Sequence, residues 1–257
     1  MSQRVTAGVV IRSTVQMTGY VLSTLIWGML SLLAAPLPYR ARYWFITRWT
    51  HFNLWWLEFV CHVRCEVQGV ENIPRDRAGV VLAKHQSAWE TMALQRWFYP
   101  QTWVLKRELM SIPMFGWAIS LLRPISINRS AITKAMRELC EQGKERLGRG
   151  VWVVVFPEGT RVAPGEKGRY QPGGGLLAER AGVPVVPVAH NAGEIWGRNR
   201  FLKFPGTIRV RIGPVIESQG RSAVEITRLA EQWIEEQMRE ITSPPFRRSS
   251  EKEKAAS

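Results

Sequence analysis

VWVVVFPEGTR, residues 151–161, decides the fold class. Its run 151–156 is apolar, rich in β-branched valine and continuous rather than alternating. That is the pattern of a strand buried on both faces, as in a parallel sheet. The strand ends abruptly, because Pro157 and Gly159 turn the chain and bring Glu158 and Arg161 with them. In open α/β sheets, ligands bind where strands end in this way, at their carboxyl edge.

The pattern repeats on both sides. Short apolar runs at 63–67, 79–83, 102–105, 185–188 and 208–212 read as further strands. Helical periods lie between and after them. Ile132, Ala135, Met136, Leu139 and Cys140 recur at three- and four-residue steps, and residues 222–241 do the same through Val224, Ile226, Leu229, Trp233 and Met238. Alternation of this kind predicts an α/β domain over residues 64–242, with a mixed, largely parallel central sheet flanked by helices. The last stretch, 243–257, is polar and is expected to be disordered.

The region before the first strand has another character. Residues 13–39 carry no charge, enough to cross a bilayer, which takes about 20 apolar residues. A signal peptide has a shorter apolar core and a clean mature start. Here YWFITRWTHFNLWWLEFVCHV follows at 43–63, with Trp44, Trp49, Trp55 and Trp56 interrupted by Arg48, His51 and Glu58. Such a segment suits the headgroup boundary. Residues 1–63 are therefore expected to be a hydrophobic helical membrane anchor. Arg4 and Arg12 balance Arg40, Arg42 and Arg48 across the apolar run, so the positive-inside rule sets no orientation. A single span and a hairpin dipping into one leaflet fit equally.

Composition narrows the partner. Lys and Arg outnumber Asp and Glu by 35 to 21, a formal charge of +14, which calls for an anionic partner. Twelve Trp residues favour a lipid interface over nucleic acid, for which no recognition motif is present. Cys61, Cys65 and Cys140 form no disulfide framework, which fits a reducing compartment, and no second Cys/His pair follows at metal-ligand spacing. No metal site is expected.

Two motifs carry chemistry. KHQSAWE, 84–90, follows the apolar run ending at 83. His85 and Glu90 are five residues apart, about 140° of rotation within one helix, so they share no helix face. With His85 in the turn before a helix, Glu90 in the first helical turn can reach back to the imidazole. A carboxylate on one ring nitrogen then fixes the tautomer and leaves the other as a base. FPEGTR, 156–161, supplies Arg161, a fork suited to phosphate. Between the two lies RPISINRS, 123–130, whose Arg129 joins Lys106 and Arg107 as cations for an anionic headgroup. VPVVPVAHNAG, 183–193, reads as a buried strand with a structural role.

In this order and spacing the blocks resemble the glycerolipid acyltransferase family, in particular bacterial 1-acylglycerol-3-phosphate acyltransferases, over roughly residues 65–213. FPEGTR followed by VPVVPV is a near-letter match. Glu90 stands where that family usually has Asp, and Asn128 where an Asp often precedes the Arg. The resemblance implies transfer of a fatty acyl group from acyl-CoA or acyl carrier protein, with no other cofactor and no covalent acyl-enzyme. The acceptor is the free hydroxyl of 1-acylglycerol 3-phosphate, giving phosphatidic acid, and a different lysolipid is the alternative. It makes His85 and Glu90 catalytic, and Lys106, Arg129, Glu158, Gly159, Thr160 and Arg161 substrate-binding. It also implies the bacterial inner membrane, with membrane lipids as partners and the site on the cytoplasmic side. Two other readings compete. Ser87 suggests a Ser–His hydrolase, but the G-x-S-x-G elbow is missing. A basic, Trp-rich lipid-binding protein leaves both motifs unexplained.

Overall fold

A computed structural model gives the fold and describes residues 4–112, 114–127 and 132–246, without the side chains of Lys106 and Ile132. The tail expected to be disordered lies outside the described residues from 247 on. The chain opens with two long helices, α1 (Ala7–Leu33) and α2 (Tyr39–Cys61). There follow β1 (Val63–Gln68), β2 (Val80–Ala83), α3 (Trp89–Ala93), β3 (Gln101–Lys106), α4 (Phe115–Ser120), β4 (Ile125–Ile127) and α5 (Ile132–Gly148). The second half runs β5 (Trp152–Val155), α6 (Gly173–Ala181), β6 (Val185–His190), α7 (Ala192–Ile195), β7 (Gly206–Ile212) and α8 (Ala223–Ile241).

The strands form one sheet in the order β1-β7-β6-β2-β5-β3-β4. Every neighbouring pair is parallel except β6 and β7. The run 151–156 that indicated the fold class contains β5, a strand buried at every residue, and β2 beside it is equally buried. Alternate side chains leave opposite faces of the sheet. Val81, Ala83, Val154, Val186 and Val188 face Tyr43, Leu54 and Leu57 of α2. Val80, Leu82, Val153 and Val155 face Leu139 of α5, Leu177 of α6 and Ile226, Ala230 and Ile234 of α8. Each valine or leucine so buried contributes about 1.5–3 kcal/mol. The α8 stripe recurs every four residues, and Ser222 caps the helix by accepting the Glu225 N–H at 3.3 Å. Gly175 lets α6 approach α8, since a Cβ there would meet the Ala223 carbonyl oxygen.

The structure departs from the sequence expectation at two places. The edge strand β4 was not anticipated, because its two isoleucines around Ser126 are too few to show a period. The segment 43–63 is more than a headgroup-level stretch: as α2 it packs Tyr43, Ile46, Leu54, Leu57 and Cys61 into the core under the sheet. The Tyr43 hydroxyl also accepts the Gln101 N–H at 3.0 Å. Trp44, Trp55 and Phe59 point outward from the same helix. With both faces aromatic or apolar, periodicity alone could not show that one of them is packed.

α1 has its polarity inverted. Ser13, Gln16, Ser23, Gly28 and Ser31 are buried, whereas Ile11, Val21, Leu22, Leu25, Ile26, Met29 and Leu33 are exposed. Its buried stripe touches the α/β body at two well-separated points. The Ser13 hydroxyl accepts the Lys203 N–H at 2.9 Å, and Gly28 lies against Met114. The helix is thus laid along the body rather than projecting from it.

Candidate active site

Sheet order assembles the site. β2 runs between β5 and β6 and parallel to both, so the turns that follow these strands lie side by side at one edge. The turn after β2 carries His85, that after β5 carries 156–161, and β6 ends on His190 and leads into α7.

The backbone of His85 is gripped from both sides by the neighbouring turn. Its N–H donates to Glu158 Oε2 at 3.1 Å, and its carbonyl accepts the Val162 N–H at 2.8 Å. The imidazole stacks on Phe156 with centroids 4.1 Å apart. Glu90, in the first turn of α3, reaches back to it. Glu90 Oε1 lies 2.9 Å from His85 Nδ1 and also accepts the N–H groups of Gln86 at 2.9 Å and Ser87 at 2.8 Å. The extra methylene of Glu relative to Asp therefore does not lengthen the contact. One oxygen both shapes the turn and orients the ring. Nδ1 then carries the proton, and Nε2 is left with no partner among the described residues.

Burial alone would raise the Glu90 carboxyl pKa, but nearby His190 and the hydrogen bonds from His85 and Ser87 hold it below the usual carboxylate range. Glu90 thus remains ionised near neutral pH. His190 is itself neutral there. Burial pushes its pKa down, its Nε2–H donates to the Lys84 carbonyl at 2.7 Å, and its Nδ1 accepts the Ala192 N–H at 3.3 Å. Glu90 Oε2 sits 3.9 Å from that Nε2 and makes no hydrogen bond.

Glu158 takes a different place from the one expected of an acceptor ligand. Its side chain is fully buried, Oε1 accepting from Lys84 Nζ at 2.7 Å and from the Gly168 N–H at 3.0 Å, while Oε2 holds His85 N–H. Lys84 Nζ also reaches Glu235 of α8 at 2.8 Å and the Glu166 carbonyl at 3.1 Å. The Tyr170 hydroxyl donates to Glu235 at 3.0 Å; burial and that carboxylate push the phenol pKa up, so it stays protonated. Lys84, Glu158 and Glu235 form a charged post beneath the His85 turn. Removing one partner of such a buried set costs about 3–5 kcal/mol, because the others are left uncompensated. No sequence signal pointed to Glu235, or to His190.

His85 opens on a cavity of about 820 Å³. α1 and α2 contribute Tyr20, Trp27, Ile46 and Trp49 to its wall, and the sheet side adds Leu105, Leu122, Leu139 and Phe156. Gly159, Thr160 and Arg161 line it, with Gly159 at φ 67° making the turn that Pro157 begins. Arg198 and Asn199, which the sequence reading did not single out, line it too. Among the described residues, Arg161 and Arg198 are the lysine or arginine side chains on this wall, and no carboxylate is exposed to it. Lys106 ends β3 at the same sheet edge, its side chain undescribed, and Asn128 and Arg129 lie outside the described residues. Ser87 is not on the wall. It is buried, and its hydroxyl accepts the Trp89 N–H at 3.1 Å, so it serves the start of α3 rather than acting as a nucleophile.

The acyltransferase family profile matches residues 64–191. A 1-acyl-sn-glycerol-3-phosphate acyltransferase from Pseudomonas aeruginosa is 48% identical over 225 residues, 86% of this chain and 87% of that protein. The human 1-acyl-sn-glycerol-3-phosphate acyltransferase alpha is 29% identical over 178 residues, 68% of this chain and 62% of that one. The crystal structure of the 1-acyl-sn-glycerophosphate (LPA) acyltransferase from Thermotoga maritima shares the fold with a TM-score of 0.74. That match is 23% identical and covers 91% of this chain and 97% of that one.

Proposed function

Because this chain belongs to the acyltransferase family, we propose that the His85 cavity is where it acylates 1-acylglycerol 3-phosphate to phosphatidic acid. The chain is a 1-acylglycerol-3-phosphate O-acyltransferase. One observation carries the assignment of the site: an apolar cavity on whose described wall a buttressed histidine and two guanidinium groups sit, without a carboxylate. Apolar walls suit acyl chains, and the guanidinium groups suit a phosphate.

His85 Nε2 takes the proton of the acceptor hydroxyl as its oxygen attacks the carbonyl carbon of the thioester. Glu90 keeps the imidazole in that tautomer and stabilises the imidazolium as it forms. The carbon–sulfur bond then breaks, and the imidazolium returns its proton to the departing thiolate. Arg161 binds the acceptor phosphate and so fixes the hydroxyl beside His85. The family resemblance assigns Lys106 and Arg129 to the acceptor as well. Glu158 acts through the backbone of His85, not on substrate. The donor is a thioester, acyl-CoA or acyl carrier protein, and no further cofactor takes part.

The test is purified full-length protein assayed with labelled thioester and lysophosphatidic acid. Arg161→Ala should raise KM for the acceptor about 10- to 100-fold, the worth of hydrogen bonds to a charged group, and leave KM for the thioester unchanged. A rise confined to the donor would reverse the assignment.

α1 is the one helix among the described residues long and apolar enough to cross a membrane. Its apolar outer face is an anchor surface. Since α1 is held along the α/β body, we read it as seated within one leaflet with Trp44, Trp55 and Phe59 of α2 at the headgroup level. The cytoplasmic face of the bacterial inner membrane is the setting we assign, in keeping with three free cysteines. High-salt washing of membranes should leave the protein bound, because apolar burial is not screened by ions. Full release by salt would transfer the anchoring role to the basic surface.

A further inference from the structure

Of the two guanidinium groups on the cavity wall, only Arg161 has been given a specific contact, and the placement of Arg198 gives it one too. Its Nη1 donates to the carbonyl of Arg161 at 3.1 Å, which ties the loop after α7 to the turn after β5. Both side chains line the cavity that His85 opens on. Neither forms an ion pair among the described residues, and Arg161 Nε is buried without a hydrogen-bond partner.

Arg198 is exposed, but the loop that carries it is anchored. Glu194 of α7 accepts the Ser243 N–H at 2.8 Å, the Ser243 hydroxyl at 2.6 Å and Asn191 Nδ2 at 3.2 Å. Trp196 is buried, packed edge-on against Tyr20 of α1 with centroids 6.1 Å apart. Gly193 abuts Gln86, the residue after the histidine. A side chain on so fixed a loop is delivered to one place. Two guanidinium groups on one wall, with no acid among its described lining, favour an anion between them.

We propose that Arg198 is a second phosphate contact, and that the Arg161–Arg198 pair selects a phosphomonoester headgroup over a phosphodiester one. A phosphomonoester presents three terminal oxygens and about −1.5 to −2 charge at neutral pH, enough to engage two guanidinium forks. A phosphodiester offers two such oxygens and one charge, and its second substituent occupies the room a second fork needs. The second arginine therefore adds more to the first ligand than to the second. This deepens the reading of the cavity as the lysophosphatidic acid site and rests on it.

The experiment uses full-length wild type, Arg198→Ala and Arg198→Lys, with one thioester and two acceptors: lysophosphatidic acid and its methyl phosphodiester. Arg198→Ala should raise KM for lysophosphatidic acid about 10- to 100-fold, with kcat and the thioester KM within about threefold of wild type. Its kcat/KM for the methyl ester should change less than about threefold, so the preference between acceptors collapses. Arg198→Lys, which keeps charge but loses the fork, should fall between the two. An equal change for both acceptors, no change for either, or a shift in the thioester KM alone overturns the role of Arg198. If wild type itself prefers the methyl ester, the phosphomonoester reading of the cavity falls and this inference with it. If wild type prefers lysophosphatidic acid and Arg198→Ala keeps that preference, this inference falls alone.

Discussion

Replacing His85 with alanine should lower acyl transfer about 10²- to 10⁴-fold, the usual range for a positioned general base. The variant should fold, because what shapes the turn does not depend on the imidazole. His85 N–H still meets Glu158, its carbonyl still meets Val162, and Glu90 still accepts the N–H groups of Gln86 and Ser87. What is lost is one hydrogen bond and a stack on Phe156, about 1–2 kcal/mol of stability. Initial rates with lysophosphatidic acid and a thioester, on protein whose circular dichroism and membrane binding match wild type, measure the effect. Retention of more than about a tenth of the activity would show that another group takes the proton.

Glu90→Gln should cost about 10²- to 10³-fold, chiefly in kcat. The structure makes it a clean substitution. An amide oxygen at Oε1 can still accept from Gln86, Ser87 and His85, and an NH₂ at Oε2 replaces an oxygen that made no hydrogen bond. What disappears is the negative charge that opposes the imidazolium as it forms. Glu90→Asp keeps the charge, but withdrawing the carboxylate by a methylene disturbs all three N–H contacts. A loss of about tenfold, near 1.4 kcal/mol in barrier, is expected. The order of the two variants decides between charge and shape. An active Gln variant beside a dead Asp variant would make Glu90 a turn-shaping residue alone. The depressed pKa adds a sign to the pH dependence. The stability that the ionised carboxylate contributes is present above the ordinary carboxylate pKa and is lost as pH falls through the lowered value. Glu90→Gln should therefore lose stability relative to wild type at neutral pH and approach it in acid.

Much of this is legible in the sequence alone. The central strands declared themselves because burial on both faces demands unbroken apolar runs, as in 151–155 and 185–188. β4 did not, being three residues at an edge. The packing of α2 was not legible because a helix with core on one side and exposed aromatic rings on the other has no clear polar face to mark its orientation. His85, Glu90 and Arg161 were legible because each lies within a few residues of a strand end. Glu158 was legible as a residue that organises the pocket, but its partner was not, since Lys84 is 74 residues away.

The sequence by itself determined that a histidine, a carboxylate and an arginine would gather at one sheet edge, because buried parallel strands release their polar residues only at their ends. It also determined the five-residue interval from His85 to Glu90, which works only when the histidine steps out of the helix. The tertiary structure decided which carboxylate serves which cation. Lys84 meets Glu158 and Glu235 because β5 and α8 pack against β2, across 74 and 151 residues of chain. Arg198 joins Arg161 because β6 flanks β2 on the side opposite β5, which brings the two loops over one cavity. Such pairings depend on strand order and helix packing, which hydrophobic burial sets, and no local spacing encodes them.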